Sequence, residues 1–357
     1  MKCKLWLVPL FIISSKIFSG TYDGPPAPTS HDVAGKIAEK MPRPITPNAG
    51  PRVDNGIDVF VTADFIYWTA RMDNLGYVMT GLGDGITNAG KGSVHYPDWD
   101  WDPGFKAGVG LNLPHDGWDV YAEYTWLHSS ASDSVTGLNH VPLWNIANLD
   151  ATSVNNAHTK WDIHFNAIDL SLGRNYFISQ FLTLRPFIGF KGSWIDQDYH
   201  VNYDFANQTI VSHLRMRNDQ DFWGIGLRSG LNTAWYVHRN WSFYGDFALT
   251  ALWSQFNSVR NDIRNDSQNG GGTPLNTDIT VLRTENEFHT LKALLEFGIG
   301  LRGEWWFMDD RYHFLIQAGW EEQVWINFNH LVVTQNDAAN NGDLILQGLT
   351  IKVRFDF

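Results

Sequence analysis

The stretch Gly348–Phe357, GLTIKVRFDF, alternates strictly between apolar and polar residues. A period of two places alternate side chains on opposite faces of a β-strand. The apolar face is Leu349, Ile351, Val353, Phe355 and Phe357, and the polar face is Thr350, Lys352, Arg354 and Asp356. A soluble sandwich strand can show the same alternation, but three consecutive charges on one face favour a strand between lipid and a wet lumen. This stretch therefore predicts a strand of a transmembrane barrel.

The composition agrees with a membrane protein. The 357 residues include 26 Lys and Arg against 38 Asp and Glu, for a formal net charge of −12, which argues against a nucleic-acid partner. Charged residues make up only 18% of the chain, whereas aromatic residues reach 14% and include 17 Trp. A soluble core rarely needs so many indoles, but two aromatic girdles at membrane interfaces would use them.

Residues 1–20 have the pattern of a cleaved secretory signal peptide. Lys2 and Lys4 precede a short apolar run, and the small residues Ser19 and Gly20 follow it. The sole cysteine, Cys3, lies in this segment, so we expect a mature chain without disulfides, thiolate metal sites or a cysteine nucleophile. No later segment offers the run of about 18 apolar residues that a transmembrane helix needs.

Residues 21–56 are rich in proline and cannot pair in a sheet. We expect a disordered periplasmic lead-in. The alternative is a short helix over 31–40, with Ser30 as its N-cap, that partly plugs the lumen.

From residue 57 to residue 357 the alternating pattern recurs. It predicts an all-β, antiparallel, up-and-down transmembrane β-barrel of about ten strands, within a range of roughly 8 to 14. Turns of roughly three to five residues alternate with loops of roughly 15 to 31 residues, as in barrels with short periplasmic turns and long extracellular loops. The expected loops are 72–102, 129–158, 196–220, 257–287 and 329–343. Within 196–220, the stretches 199–205 and 209–217 alternate, so the alternative there is a hairpin that extends above the membrane.

The expected fourth strand changes parity. Trp161, Ile163 and Phe165 share one face, whereas Ile168 and the next apolar residues continue on the other. We therefore predict a β-bulge at 166–167. His164 and His313 both fall on the expected lumen parity.

Charged residues of both signs recur at the inward positions. The predicted lumen-lining residues are Lys106, Asp119, Glu123, Arg185, Lys191, Arg228, Asp246, Lys292, Glu296, Arg302, Glu304, Glu321, Lys352 and Arg354. They either form structural ion-pair ladders or line a transport path. Glycines such as Gly108, Gly110 and Gly300 share this parity, and we expect them to let the sheet curl and to leave open space.

No motif for catalysis stands out. The chain has no GxSxG, phosphate loop or HExxH, and no metal-ligand spacing recurs. Asp98, Asp100 and Asp102 would suit a cation site or a hydrolase at the loop mouth, but solvated loop residues explain them more simply. We predict no enzymatic activity, no cofactor and no metal.

Three stretches carry a resemblance to a known family. They are VTADFIYWTARMDNLGYVMTG at 61–81, SLGRNYFISQFLTLRPFIGFKGSWI at 171–195, and the final GLTIKVRFDF. Together they resemble the Legionella-type and chlamydial-type major outer membrane protein-like family, over most of residues 58–357. The resemblance implies an outer-membrane barrel that forms a pore. The terminal Phe357 resembles the assembly signal that the barrel assembly machinery reads. Unlike the disulfide-crosslinked chlamydial members, this chain has no mature cysteine.

These observations lead to an expected function in the cell outer membrane. We expect a porin-like channel for passive diffusion of small solutes or ions. The alternative is a surface adhesin or envelope-structural barrel that acts through its long extracellular loops. The expected partners are outer-membrane lipid and the assembly machinery, and the sequence leaves a homo-oligomer open.

Overall fold

The structure, a computed structural model, describes residues 58–81, 90–113, 116–144, 153–206, 210–268, 278–308, 310–333 and 341–357. The predicted signal peptide (1–20) and the proline-rich segment (21–56) lie outside these residues. In the described part of the chain, no helix is long and apolar enough to cross a membrane.

Fourteen strands make up the described sheet. They are β1 (Val59–Met72), β2 (Val78–Thr80), β3 (Ser93–His95), β4 (Asp98–Trp99), β5 (Trp101–Asn112), β6 (Trp118–Pro142), β7 (Val154–Arg174), β8 (Tyr176–Phe177), β9 (Leu182–Ala206), β10 (Ile210–His238), β11 (Trp241–Gln268), β12 (Asp278–Phe307), β13 (Tyr312–Trp325) and β14 (Leu344–Asp356).

The ten long strands close into a ring. Their order is β6-β5-β1-β14-β13-β12-β11-β10-β9-β7, and β7 pairs back onto β6. Every one of these pairs is antiparallel. The prediction of an all-β antiparallel sheet of about ten strands is confirmed.

The first and last strands meet at the seam of this ring. β1 and β14 pair from Phe60 opposite Asp356 to Met72 opposite Leu344. Beyond the strands, the Asp73 backbone N–H donates to the Asp343 carbonyl at 3.0 Å. The alternation predicted for β14 is confirmed, because Thr350 and Asp356 are buried inside the ring.

The outer face carries an apolar belt between two rows of aromatic residues. Trp223 and Trp235 are twelve residues apart on β10, and exposed apolar residues such as Leu227 lie between them. Trp241 and Trp253 have the same spacing on β11. At about 3.3 Å per residue, twelve residues cover about 40 Å, which a strand tilt of about 40° reduces to a height of about 30 Å. The belt therefore has the height of a membrane's apolar layer.

The two ends of the ring differ. Four pairs of ring strands, β5 and β6, β7 and β9, β10 and β11, and β12 and β13, have short connections at one end, which we call the short-turn end. At the other end, the long-connection end, β6, β7, β9, β10, β11 and β12 continue well past the aromatic row.

These extensions correct the expected loops. The bounds 129–158, 196–220 and 257–287 are wrong, because strand residues occupy most of them. Tyr199, Val201 and Tyr203 alternate inward with strand periodicity. Their outward neighbours are polar rather than apolar. The alternative of an extended hairpin, read from the alternation at 199–205 and 209–217, is confirmed by β9 and β10.

The predicted β-bulge at 166–167 is also wrong. Through this region β7 pairs with β6 without a shift of register, so that Phe165 opposes Leu127 and Ala167 opposes Thr125. Trp161, Ile163 and Phe165 face the interior, whereas Ile168 faces outward. The apolar residues of β7 change from the outward to the inward face at the height along the ring where the interior changes from polar to apolar. His164 accordingly lies on the outer face, where it stacks on His128 at 4.1 Å, whereas His313 is buried inside.

The interior at the long-connection end is filled by a cluster that we call the apolar plug. Ring strands and the segments 75–78, 143–144 and 328–331 contribute its side chains. Its aromatic members are Trp68, Tyr77, Trp144, Trp161, Phe165, Tyr199, Tyr203, Phe205, Phe222, Phe256, Trp325 and Phe328. Polar groups fix the inserted backbone: the Tyr199 hydroxyl donates to the Leu75 carbonyl at 2.8 Å, and Trp144 Nε1 donates to the Gly76 carbonyl at 2.8 Å.

Gly108, Gly110 and Gly300 do not leave open space, contrary to expectation, whereas Gly298 lines the cavity described below. Phe60 covers Gly110, and Tyr121 covers Gly108. Tyr244 covers Gly300 in the same way. The missing side chains make room for aromatic rings from neighbouring strands.

Candidate functional site

A polar cavity of about 500 Å³ lies inside the ring, between the apolar plug and the short-turn end. Exposed residues at the short connections, including Ser179, Gln180 and Arg239, line its rim. The cavity therefore reaches solvent at the short-turn end. Its charged lining residues are Lys106, Asp119, Glu123, Asp169, Arg185, Arg228, Arg239, Asp246, Glu296, Arg302, Glu304, Glu321, Glu322, Lys352, Arg354 and Asp356.

The structure brings twelve of the fourteen predicted residues to this cavity. The two others are Lys191, which is fully buried in the wall, and Lys292, which lies beside the plug. Asp169, His313 and Asp356 also line the cavity. None of the three was among the fourteen predicted residues, although His313 was placed on the lumen parity and Asp356 on the polar face of its strand. The period-two pattern places all three inward, so this signal was present.

The first ion-pair network joins β1, β6 and β14. Lys352 Nζ lies 2.9 Å from Glu123 Oε2 and 3.3 Å from Asp64 Oδ2. The Tyr121 hydroxyl donates to the same Glu123 oxygen. One lysine thus bridges two carboxylates across the seam of the ring. Beside this network, Lys106 pairs with Glu321 of β13.

The second network is a quartet of two cations and two carboxylates. Lys191 Nζ donates to both Asp169 oxygens, at 2.7 and 2.9 Å, and to Glu296 Oε1 at 3.0 Å. Arg228 Nε donates to Glu296 Oε2 at 2.6 Å and lies 3.6 Å from Asp169. The charges balance within the quartet, which is what burial of ionised groups requires.

The third network lies closer to the rim. The Arg185 guanidinium binds both Asp119 oxygens, with Nε 2.8 Å from Oδ2, and donates from Nη1 to Asn232 Oδ1 at 2.8 Å. Asn232 in turn donates to Asp246 at 2.7 Å. A planar guanidinium matches a carboxylate in this two-point geometry.

Two more arginines complete the charged lining of the cavity. Arg354 donates from Nε to both Asp356 oxygens, at 3.1 and 3.0 Å, and lies over the Phe60 ring at 3.6 Å. Arg302 has weaker contacts, at 3.3 Å to Gln317 and 3.9 Å to Glu304. Among the predicted cations of the cavity, Arg302 is therefore the one whose charge is least neutralised by its neighbours.

The plug is tied to the ring wall by side chains that bond its backbone. Asn218 Nδ2 donates to the Val332 carbonyl at 3.0 Å, and its Oδ1 accepts from the Val332 N–H at 3.2 Å. Gln220 bonds the Phe328 carbonyl at 3.3 Å and the His330 N–H at 2.8 Å. Sequence reasoning assigned this part of β10 to a loop and so missed these contacts.

A buried arginine strengthens the attachment. Arg260 is fully buried, pairs with Asp262 at 2.8 Å, and donates to the carbonyls of Val332 at 3.1 Å and Trp144 at 3.3 Å. One guanidinium thus holds two of the inserted segments.

Lys292 lies at the level of the aromatic row, closer to the short-turn end than Arg260. Its Nζ donates to the Asn327 carbonyl and contacts His330 Nε2 at 2.6 Å. Burial and the Lys292 charge lower the pKa of His330 to about 4, so its imidazole is neutral at pH 7 and accepts this hydrogen bond. Lys292 therefore anchors the segment 327–330 rather than lining the cavity.

The family can now be assigned. The model of the Legionella pneumophila major outer membrane protein precursor matches residues 51–357. The chain belongs to this family. The match covers all ten ring strands and confirms the resemblance read from the sequence. It places the chain in a family of outer-membrane proteins. No curated protein matches the chain.

Solved structures show distant similarity. The outer membrane protease OmpT from Escherichia coli is 9% identical, with 87% of this chain and 99% of that chain covered and a TM-score of 0.41. A major outer membrane protein from Thermus thermophilus is 12% identical, with 82% and 99% covered and a TM-score of 0.28. The Ralstonia pickettii toluene transporter TbuX is 10% identical, with 83% and 89% covered and a TM-score of 0.26. We infer no activity from these similarities.

Proposed function

We propose that this family member spans the outer membrane as a β-barrel and acts as a channel for small hydrophilic solutes or ions. One observation carries the proposal: an exposed apolar belt, bounded by aromatic rows, encloses a cavity lined by charged side chains. Lipid outside and water inside is the arrangement that such a ring requires.

The orientation follows from the two ends of the ring. Outer-membrane barrels keep their short turns in the periplasm. The cavity then opens to the periplasm, and the apolar plug faces the exterior. Solutes from the periplasm would enter a vestibule whose lining carries nine Asp and Glu against seven Lys and Arg. This balance favours small solutes with a weak preference for cations.

Passage through the whole ring requires movement of the plug. The segments 75–78 and 328–331 fill the interior. Asn218, Gln220 and Arg260 hold residues 328–332 and Trp144 in place. Conduction should therefore be infrequent in the wild type. It should increase when these hydrogen bonds are removed.

A planar-bilayer experiment tests the channel. The wild-type protein should give small, infrequent current steps, and Asn218→Ala combined with Gln220→Ala should raise the open fraction several-fold. Asn202→Ala, on the outward face of β9, serves as a control that should not change it. All proteins are first shown to be folded by heat-modifiable gel migration. Folded wild type and folded double variant that both give no steps would contradict the proposal.

The second candidate is an envelope-structural or adhesive barrel. The same plug favours it, because a sealed interior needs no transport role and the long strands project beyond the belt. An absence of current steps from the folded wild type and the folded double variant in the bilayer experiment would favour this candidate.

A further inference from the structure

The six extended strands form a sheet that projects beyond the aromatic row, and one margin of this sheet is open. β12 pairs with β11 along its projecting part, from Asp278 to Ala293. β13 pairs with β12 only from Leu294 onward. Among the residues that the structure describes, no strand therefore pairs with the other edge of β12 over 278–293. At the opposite margin, the short strands β4 and β2 pair with β6.

The backbone of this edge can be assigned. The Ala293 carbonyl faces the open side, because it accepts from the Ile326 N–H at 3.1 Å. In an antiparallel sheet alternate residues direct N–H and C=O to the same neighbour. Residues that lie an even number of positions before Ala293 share its orientation. His289, Glu287 and Glu285 therefore direct their N–H and C=O groups to the open side. A row of unpaired backbone groups is a template for another strand.

A crevice of about 430 Å³ lies beside this edge. Asn286 and Phe288 of β12 form one side, and His330, Leu331 and Val333 are on the other. The Phe288 ring is held in place, because it stacks on Phe256 at 5.3 Å and meets the His330 ring edge-on at 4.9 Å. The crevice therefore offers a fixed apolar contact next to the backbone groups.

The charges at the edge indicate the chemistry of a partner. Glu285 and Glu287 are exposed on the outward face, and Arg283 is the one base among the outward residues from 283 to 287. Glu287 also accepts a hydrogen bond from Gln255, which fixes its position. A complementary strand would direct Lys or Arg outward and apolar side chains into the crevice. Opposite charges across a strand pair are favourable.

A second copy of this chain does not fit the edge. In a shared membrane, which the proposed function assumes, two copies have the same orientation, so their β12 strands would run in the same sense. With each strand tilted by about 40°, they would cross by about 80°. Ladder hydrogen bonds cannot form at that angle, so the partner is a segment of another protein.

We propose that the edge of β12 between Glu285 and His289 binds an extended peptide that alternates basic and apolar residues. The peptide adds a strand to the projecting sheet, so its backbone supplies affinity and its alternate side chains supply specificity. Binding of this kind does not depend on conduction.

Fluorescence anisotropy with designed peptides tests this proposal. The probes are labelled octapeptides of alternating Lys and Val or alternating Glu and Val, added to the full-length protein in detergent micelles. The basic peptide should bind, and the acidic peptide should bind at least tenfold more weakly. Glu285→Lys combined with Glu287→Lys should reverse this order. Asp221→Lys, on the outward face of β10, is the matched control and should leave it unchanged.

A third peptide separates strand pairing from charge attraction. It has the basic sequence with N-methyl groups on alternate residues, which keeps the charge but removes the donors of one edge. Two methylation registers are made, and one of them should bind at least tenfold more weakly than the parent. Equal binding of the parent and both methylated peptides would overturn the proposal, as would no binding to folded protein. Neither result bears on the bilayer currents, so failure here is distinguishable from failure of the channel.

Discussion

The ring of Phe60 lies directly over Gly110, its partner on β5, and occupies the space that a side chain at Gly110 would fill. The Arg354 guanidinium lies on the same phenyl ring at 3.6 Å. The glycine is therefore needed for the packing of an aromatic ring and, through it, for the position of a cavity-lining charge.

Replacing Gly110 tests this relationship. Gly110→Ala would push a methyl group into the Phe60 ring, and overpacking of this kind costs about 1–3 kcal/mol. We expect a lower urea midpoint in detergent micelles. Gly192→Ala is the control, since a Cβ there meets only the Trp194 ring, at 3.4 Å or more. Equal midpoints for the two variants would show that Phe60 can move aside.

The buried quartet predicts a second stability effect. Lys191→Met leaves Asp169 and Glu296 with Arg228 as their nearest cation, and breaking a buried ion pair typically costs about 3–5 kcal/mol. The urea midpoint should fall strongly. Lys160→Met removes a pair in which the lysine is exposed and Asp162 is partly buried, and it should lower the midpoint much less. A small effect for Lys191→Met would mean that water in the cavity solvates the two carboxylates.

The apolar belt predicts the response to a charge on the outer face. Ile299 is 67% exposed and lies between the aromatic rows, where an arginine costs about 2–4 kcal/mol near the membrane midplane. Ile299→Arg should reduce insertion into lipid vesicles, as followed by heat-modifiable migration. Glu285→Arg, on the same strand beyond the aromatic row, should insert normally. Efficient insertion of Ile299→Arg would contradict the assignment of the belt.

Four aspartates on the outer face predict that the stability of the folded protein depends on pH. Asp219 opposes Asp198, and Asp221 opposes Asp196, across β9 and β10 just beyond the aromatic row. Burial first, and then the facing carboxylates, raise the pKa of Asp219 and of Asp221. A raised pKa in the folded state means that folding favours the protonated form. The stability it contributes is present at low pH and is lost as the pH rises through the folded-state pKa.

Substitution by asparagine removes this effect. Asp219→Asn combined with Asp221→Asn should raise the urea midpoint at pH 7 relative to wild type. The gain should shrink towards pH 3, where the wild-type carboxyls are protonated in both states. It should also shrink in 1 M salt, which screens exposed charges. A gain that is the same at pH 3 and pH 7 would exclude the electrostatic explanation.

Much of the ring could be predicted because the side chains along its strands alternate between apolar and polar. Lys106 and Lys352 face inward as the alternation requires, with lipid-facing neighbours on either side. That rule assumes one apolar face per strand. Trp161 and Phe165 depart from it, because the ring is apolar on the inside where the plug lies, and their parity was misread as a bulge.

The pairings inside the cavity could not be read from the sequence. Lys191 and Glu296 are 105 residues apart, and only the closed ring brings their strands to opposite sides of one space. The attachment of the plug has the same origin, since Asn218 and Val332 are 114 residues apart. Beyond the belt, polar residues on the outward face also weaken the signal that marks a strand, and only the alternation at 199–205 and 209–217 indicated that strands continue there.

The seam between β1 and β14 couples closure of the sheet to insertion of the plug. Asp73 follows β1 directly, Asp343 precedes β14, and their backbones are joined. Asn329 of the plug segment also donates to the Asp73 carbonyl, at 2.8 Å. The two ends of the ring and the inserted backbone therefore share one set of hydrogen bonds. Folding should accordingly finish in a single cooperative step, in which the first strand gains its second neighbour only as the interior is sealed.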